Sequence, residues 1–360
     1  MLYITKLGPE MTKPEFKQLF LQLTEYTIPF GHEESLEPLL PPGHKRDSVG
    51  NYYYEIGQSE TLFTTHLDTY SSEHRQVMQY QSADDEYVIF TDGKTILGGD
   101  NKLGCCILIG MIERRVPGTY YFFLGEEPIV SGGLWGSTRA LKANPGFFRK
   151  FKRCVAFDRR GYGSVVMRQM ARMSASEDFV RAVAAELGRL GKIEFDEASR
   201  FGYYTDTATF MDVIPECTNI SAGGFNEHHL SEWVDLNYTW NVLQVALQVD
   251  WESLPVRREL EERFRQAPKT NKIMGFLGFG PERAAKSLVD AMSKIDALLL
   301  SRDVDEGDAR RLTFATWLHD LDIDFWVSKA GQIHMDKAML HPISVEEAAS
   351  RARRILKEFT

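Results

Sequence analysis

Hydrophobic and polar positions along the first 250 residues predict strands and helices in turn. Short apolar or aromatic runs have the length and composition of strands: NYYYEIG (51–57), TLFTTHLD (61–68) and GTYYFFLGEE (118–127). Runs such as CCILIGMIERR (105–115) and SASEDFVRAVAAELGRL (174–190) have the length and spacing of helices. Alternating strands and helices predict an α/β fold, a three-layer sandwich with a mixed sheet that is parallel in its centre.

The two ends of the chain carry different patterns. From Met11 to about Leu40 the spacing predicts one amphipathic helix, and the polar tip at 83–86 predicts a hairpin within 77–93. Beyond Ser253 the chain becomes charged, with strong helical periodicity and one small hairpin. We therefore expect one α/β domain over 1–252 and a separate, mainly helical module over 253–360, which could cover a functional site of the first domain, mediate homo-oligomerisation or recruit a partner.

Metal-binding side chains follow the apolar runs in five segments. They are His66 and Asp68, Asp100, Glu126 and Glu127, Asp158, and His228. In an open α/β sheet a site forms in the loops beyond the carboxyl ends of the strands, so we expect these side chains to converge. Imidazole and carboxylate ligands suit two divalent ions, zinc above all, with cobalt or manganese as substitutes. A Glu directly before a ligand Glu is well placed to act on activated water, which predicts amide hydrolysis.

Composition narrows the class of protein. The chain is 43% hydrophobic and 26% charged, with no apolar run long enough to span a bilayer. A formal net charge of −9 disfavours nucleic acid as the main partner. The four cysteines form no CxxC pair, and the N-terminus lacks the apolar core of a secretory signal. These features predict a cytoplasmic protein with reduced thiols.

Seven short motifs occur in an order that is known from one group of enzymes. They are DSVGN (47–51), HLD (66–68), GGDNKLG (98–104), GEE (125–127), FD (157–158), TDTA (205–208) and NISAGGFNEH (219–228). Through these motifs, residues 10–250 resemble the zinc-dependent exopeptidase superfamily, which contains peptidase T, related amidohydrolase deacylases and bacterial leucyl aminopeptidases.

The resemblance implies a role for each side chain. Asp100 would bridge two metal ions, one held also by His66 and Asp158, the other by Glu127 and His228. Glu126 would be the general base and then the general acid, and Asp68 would orient the ring of His66. His229 remains an alternative to His228 as the last ligand.

Several questions stay open at this stage. Only 70 residues separate Asp158 from His228, which predicts a protein without the lid domain that some relatives insert there. Asp206 could cap a helix or line the site, and Arg159 and Arg160 could bind a substrate carboxylate or be solvated. An aminopeptidase acting on short peptides is the leading hypothesis. The alternatives are a deacylase of N-acylated amino acids or small amides, and an inactive metal-binding protein that keeps the fold.

Overall fold

The computed structural model describes residues 11–127, 136–169, 172–191, 196–199 and 205–260, and two short strands at 325–327 and 333–335. The chain divides into two compact units, Met1–Arg265 and Gln266–Thr360. In the first unit the helices are α1 (Lys13–Leu23), α2 (Gly99–Glu113), α3 (Gly136–Ala143), α4 (Pro145–Phe148), α5 (Glu177–Gly191), α6 (Asp206–Phe210) and α7 (Leu236–Ala246). None of the described helices is long and apolar enough to cross a membrane.

A mixed sheet forms the centre of the first unit. Its strands are β1 (Lys45–Arg46), β2 (Tyr52–Ile56), β3 (Thr61–His66), β6 (Gly118–Phe123), β7 (Arg153–Arg159), β8 (Ser164–Val166), β11 (Asp196–Ser199) and β12 (Glu216–Ser221). Among the described residues the order is β1-β2-β6-β3-β7-β12-β8-β11. The four neighbours β6, β3, β7 and β12 run parallel, while β1, β2 and β8 join antiparallel partners. The predicted mixed sheet with a parallel centre is therefore confirmed.

Both faces of this sheet are covered, which makes the fold a three-layer sandwich. Successive residues of β6 belong to different cores: Tyr120 and Phe122 pack with α1, α2, α5 and α7, whereas Tyr121 and Phe123 pack with α4 and α6. This period-two alternation explains why the central strands are apolar at every position, since each side chain enters one core or the other.

A second, smaller sheet lies in the same unit. It consists of β4 (Gln79–Gln81), β5 (Val88–Thr91), β13 (Gly224–Phe225) and β14 (Trp233–Asp235), all antiparallel in the order β13-β14-β5-β4. Strands β4 and β5 form the predicted hairpin within 77–93. A separate pair, β9 (Arg168–Gln169) and β10 (Arg172–Met173), makes a short antiparallel ladder.

The predicted single helix from Met11 to Leu40 is wrong. Helix α1 ends at Leu23, and only a 3-10 helix at Glu33–Leu39 follows. At the end of α1, Thr24 has non-helical φ and ψ and its Oγ1 donates to the carbonyl of Phe20. Pro29 and Gly31, which has a positive φ of 94°, follow before the 3-10 helix and are unfavourable to a continuing α-helix. The start of α1 lies close to the predicted Met11, because Thr12 and Glu15 form a capping box that fixes the first turn.

The second unit is described only at β15 (Phe325–Val327) and β16 (Ile333–Met335), which pair antiparallel as the small hairpin predicted there. The other elements expected of the mainly helical module lie outside the described residues. Between Asp158 and His228 the described residues hold strands β8 to β13 with α5 and α6. The absence of an inserted lid stays a prediction.

Candidate metal centre

The predicted ligands converge at the carboxyl edge of the parallel strands. His66 is the last residue of β3, Asp158 is the sixth residue of β7, and Glu126 and Glu127 follow β6. Asp100 lies at the start of α2, where Asp100 and Asn101 have non-helical φ and ψ and are joined by a cis peptide bond. His228 lies between β13 and β14.

Asp100 lies between the two histidines. Its Oδ1 is 3.0 Å from His66 Nε2, and its Oδ2 is 3.1 Å from His228 Nε2. One carboxylate thus presents a different oxygen to each ring, an arrangement in which it could be a shared ligand of two cations.

Two further carboxylates complete one ligand group on each side. Asp158 Oδ1 lies 3.7 Å from His66 Nε2, and Glu127 Oε1 lies 2.5 Å from His228 Nε2. The ligand atoms of His66, Asp100 and Asp158 all lie within 4.8 Å of one another, as do those of Asp100, Glu127 and His228. A third group of the same size contains Glu126 with His66 and Glu127, so the Glu126 carboxylate faces the same space.

Asp68 connects two of the converging loops. It is fully buried, and its Oδ1 lies 3.1 Å from His66 Nδ1. Its two oxygens also accept the backbone N–H groups of Glu126 and Glu127, each at 2.8 Å. The predicted contact with His66 is therefore only part of its surroundings, because the same carboxylate holds the backbone on which both glutamates stand.

The loop after β13 places His228 rather than His229 beside Asp100. His228 has a positive φ of 66°, which directs its ring inward, whereas His229 is exposed. The ring of Tyr70 stacks on that of His228, with centroids 4.3 Å apart and planes 18° apart. A non-glycine residue held at positive φ is strained, and such strain occurs often at functional sites.

Burial and mutual repulsion govern the ionisation of the cluster. The pKa of Glu126 is raised well above its usual range, mainly by burial and to a smaller extent by the charge of Glu127. The pKa of Asp158 is raised in the same way, mainly by burial and then by the charge of Asp100. Burial alone would lower the pKa of His66, but the carboxylates around it raise the pKa. A buried surplus of carboxylates over imidazoles is stabilised most directly by cations.

The remaining predicted residues occupy distinct positions. Asp206 is the first residue of α6 and is 2% exposed; Thr205 takes the capping position, but its hydroxyl donates to Gln169 Oε1 instead of capping the helix backbone. Neither carboxylate oxygen of Asp206 has a hydrogen-bond partner among the described residues, and burial raises its pKa to about 7. Arg159 Nε donates to Ser164 Oγ, and the exposed Arg160 lies 3.6 Å from Glu227. A role of either arginine in substrate binding stays a prediction.

Some residues of the site were not predicted from the sequence. Lys102 is fully buried and its Nζ donates to the backbone oxygens of Leu67 and Asp68, which follow β3. Glu232 is 2% exposed and accepts hydrogen bonds from the loop before Asp100. Lys102 lies inside the GGDNKLG motif and Glu232 lies four residues after His228, but neither position shows in the sequence which polar side chain faces inward.

No protein-family model matches the chain, and no curated protein matches its sequence. Among solved structures the chain is similar to a tripeptidase from Staphylococcus aureus, with a TM-score of 0.51 at 14% identity over 66% of this chain and 97% of that chain. The aminopeptidase PepT from Bacillus cereus has a TM-score of 0.49 and 13% sequence identity, over 66% of this chain and 97% of that one. An aminopeptidase from the archaeon Desulfurococcus kamchatkensis has a TM-score of 0.45 and 13% sequence identity, over 71% of this chain and 99% of that one.

At this level of identity the likeness concerns the fold. The tripeptidase is matched over nearly its whole length by about two thirds of this chain. The chain therefore has the fold of that tripeptidase, in agreement with the zinc-dependent exopeptidase fold that its motifs predict.

Proposed function

We propose that the chain is a metal-dependent exopeptidase that removes N-terminal residues from short peptides. The observation that carries the proposal is the position of Asp100, whose two oxygens face His66 and His228 separately. Two groups of three ligands that share one carboxylate are suited to a pair of divalent cations, and their imidazole and carboxylate chemistry favours zinc.

The residues present fit such a pair of ions. His66, Asp100 and Asp158 would hold one cation, and Asp100, Glu127 and His228 the other. Bound there, divalent cations would supply Lewis acidity at a substrate carbonyl and lower the pKa of water. Four buried or half-buried carboxylates around two imidazoles fit this charge better than they fit a site without cations.

Glu126 is the residue proposed to move the proton. Its carboxylate faces the ligand groups without belonging to either metal triad, and Asp68 fixes its backbone N–H. It would take a proton from water as the carbonyl is attacked and then donate that proton to the leaving amine. Its raised pKa suits the first step, because a more basic carboxylate accepts a proton more readily and keeps it until the leaving amine takes it.

Replacing Glu126 by Gln tests this role. We expect Glu126→Gln to fold and to bind metal like the wild type while turnover falls by about 10³-fold or more, since proton transfer alone contributes factors of this order. Metal content by elemental analysis and hydrolysis of aminoacyl-anilides are the two measurements. Glu127→Gln is the matched control and should lose metal together with activity. Near-normal turnover of Glu126→Gln would show that another group is the base.

A substrate panel tests the exopeptidase assignment. We expect aminoacyl-anilides and di- or tripeptides with a free N-terminus to be cleaved, and N-acetyl amino acids to be left intact. The reverse preference would identify a deacylase. Fewer than one metal ion per purified chain, without activity after zinc or cobalt is added, would contradict the metal centre itself.

A further inference from the structure

A buried carboxylate connects the loop that carries Asp100 with the loop that carries His228. Glu232 follows His228 by four residues and is 2% exposed. Its Oε2 accepts the backbone N–H groups of Leu97 and Gly98, each at 2.8 Å. Its Oε1 accepts the backbone N–H of Asp100 at 3.3 Å. All three partners are donors, and the last of them belongs to the proposed shared ligand.

The two loops approach closely enough for this contact only because Gly98 and Gly99 lie there. Gly98 has a positive φ of 77°. A Cβ on Gly99 would lie 2.6 Å from Val234 Cγ1 and 3.1 Å from Glu232 Oε1. Glycine at this position therefore allows the backbone before Asp100 to rest against the Glu232 carboxylate.

We infer that Glu232 is a positioning residue of the metal centre, an inference that rests on the proposed function. Through the three N–H groups it fixes where the backbone of Asp100 stands relative to the loop of His228. It thereby determines whether one Asp100 oxygen can face each histidine. A residue that orients metal ligands in this way affects metal affinity by about 10- to 100-fold.

Only a carboxylate of this length satisfies the contact. Gln can accept from Leu97 and Gly98 through its single oxygen, but its amide group would then present a donor to the N–H of Asp100. Asp keeps the negative charge and both acceptors on a stem that is one carbon shorter. The two substitutions therefore separate the position of the acceptors from the effect of charge on nearby cations.

Glu216 provides a matched control for a purely structural role. It is also a fully buried glutamate that accepts backbone N–H groups, from Ser176 at 2.6 Å, Arg257 at 2.7 Å and Arg258 at 2.8 Å. These partners lie at the start of α5 and in the segment after Leu254, and they belong to none of the ligand groups. Loss of Glu216 should lower stability without changing the metal site.

The test measures zinc affinity of the full chain by competition with a chromogenic chelator, together with the visible spectrum of the cobalt-loaded protein. We expect Glu232→Gln and Glu232→Asp each to weaken binding by about 10-fold or more and to alter the cobalt spectrum. Glu216→Gln should lower the unfolding midpoint but bind zinc like the wild type.

Three results would overturn the inference: wild-type affinity in Glu232→Gln, wild-type affinity in Glu232→Asp, or an equal loss of affinity in Glu216→Gln. Wild-type affinity in Glu232→Asp together with a loss in Glu232→Gln would show that the negative charge at this position matters and the length of the side chain does not. Failure of the proposed function is distinguishable: without a metal centre the wild-type chain would bind no zinc, whereas a deacylase would bind zinc normally and differ only in the substrate panel.

Discussion

At the scale of single residues, buried carboxylates hold the loops of the candidate site together by accepting hydrogen bonds from their backbone N–H groups. Asp68 accepts from two backbone N–H groups and lies beside the ring of His66, so it links the loops after β3 and β6. Burial opposes its ionisation, but the hydrogen bonds and the charge of His66 lower its pKa below the usual range. A charge that is buried with several donors is held in one position.

Glu33 is a buried carboxylate with fewer partners. It is 2% exposed; its Oε2 accepts the N–H of Gly31 at 2.5 Å, and its Oε1 has no partner among the described residues. Burial raises its pKa to about 7. Because the folded chain holds this proton more tightly than the unfolded chain does, the free energy of unfolding falls as pH rises from about 4.5 to about 7.

We therefore expect Glu33→Gln to gain stability relative to the wild type as pH rises. The difference between the two free energies of unfolding should grow by roughly 3 kcal/mol between pH 4.5 and pH 8, the equivalent of the shift in pKa. Urea unfolding at several pH values measures it, and Glu25→Gln at an exposed position is the control. A difference independent of pH would show that Glu33 is ionised at no cost in the folded chain.

At the scale of elements, close approach of α2 and α7 depends on a glycine. A Cβ on Gly110 of α2 would lie 2.6 Å from Leu243 Cδ2, and Leu243 is 1% exposed in α7. Helical propensity favours Ala over Gly by about 1 kcal/mol, but overpacking a well-filled core costs about 1–3 kcal/mol. The packing effect should therefore dominate.

We expect Gly110→Ala to lower the free energy of unfolding by about 1–2 kcal/mol, measured by urea denaturation. Gly146 is the matched control: it also lies in a helix, but the nearest atom to its Cβ would be Asn144 Oδ1 at 3.9 Å. Gly146→Ala should leave the free energy of unfolding unchanged or raise it by up to about 1 kcal/mol, because only helical propensity changes there. Equal effects of the two substitutions would mean that α7 can shift to accommodate a methyl group.

At the scale of the whole molecule, residues 252–258 close the first unit by charged hydrogen bonds. The Arg153 guanidinium donates to the carbonyls of Glu252 and Leu254, and the buried Glu216 carboxylate accepts the N–H groups of Arg257 and Arg258. Leu254 itself is 4% exposed. The segment is therefore packed as part of the unit over Met1–Arg265.

Two shortened chains test this packing. A chain that ends at residue 260 should unfold at the same midpoint as the first unit does in the full chain, and should bind zinc with the same affinity as the full chain. A chain that ends at residue 252 should be less stable by roughly 3 kcal/mol, because two buried charged groups lose partners. Thermal and urea unfolding of the two chains give the comparison. Equal stability would place the end of the unit at 252, the boundary expected from composition.

Much of this protein could be predicted from its sequence, because the relevant signals are local. Continuous apolar runs such as TYYFFL in GTYYFFLGEE indicate a strand that is buried on both faces, and a residue that directly follows a strand in the sequence must lie at its carboxyl end. The fold class follows from these signals, and so does the convergence of the five ligand segments. The helix predicted over 11–40 was wrong because hydrophobic periodicity does not show where a helix ends: α1 ends at Leu23, before Pro29 and Gly31.

Tertiary structure alone decided which polar atoms meet. Whether His228 or His229 faces Asp100 depends on the backbone conformation of His228, which has a positive φ. Two adjacent histidines in the sequence do not predict that conformation. The hydrogen bonds of Glu232 to residues 97–100 and of Glu216 to residues 257 and 258 join segments that are 132 to 135 and 41 to 42 positions apart. Such contacts are set by how the layers pack, because hydrogen bonding requires positions accurate to a few tenths of an ångström, which residue type and spacing do not encode.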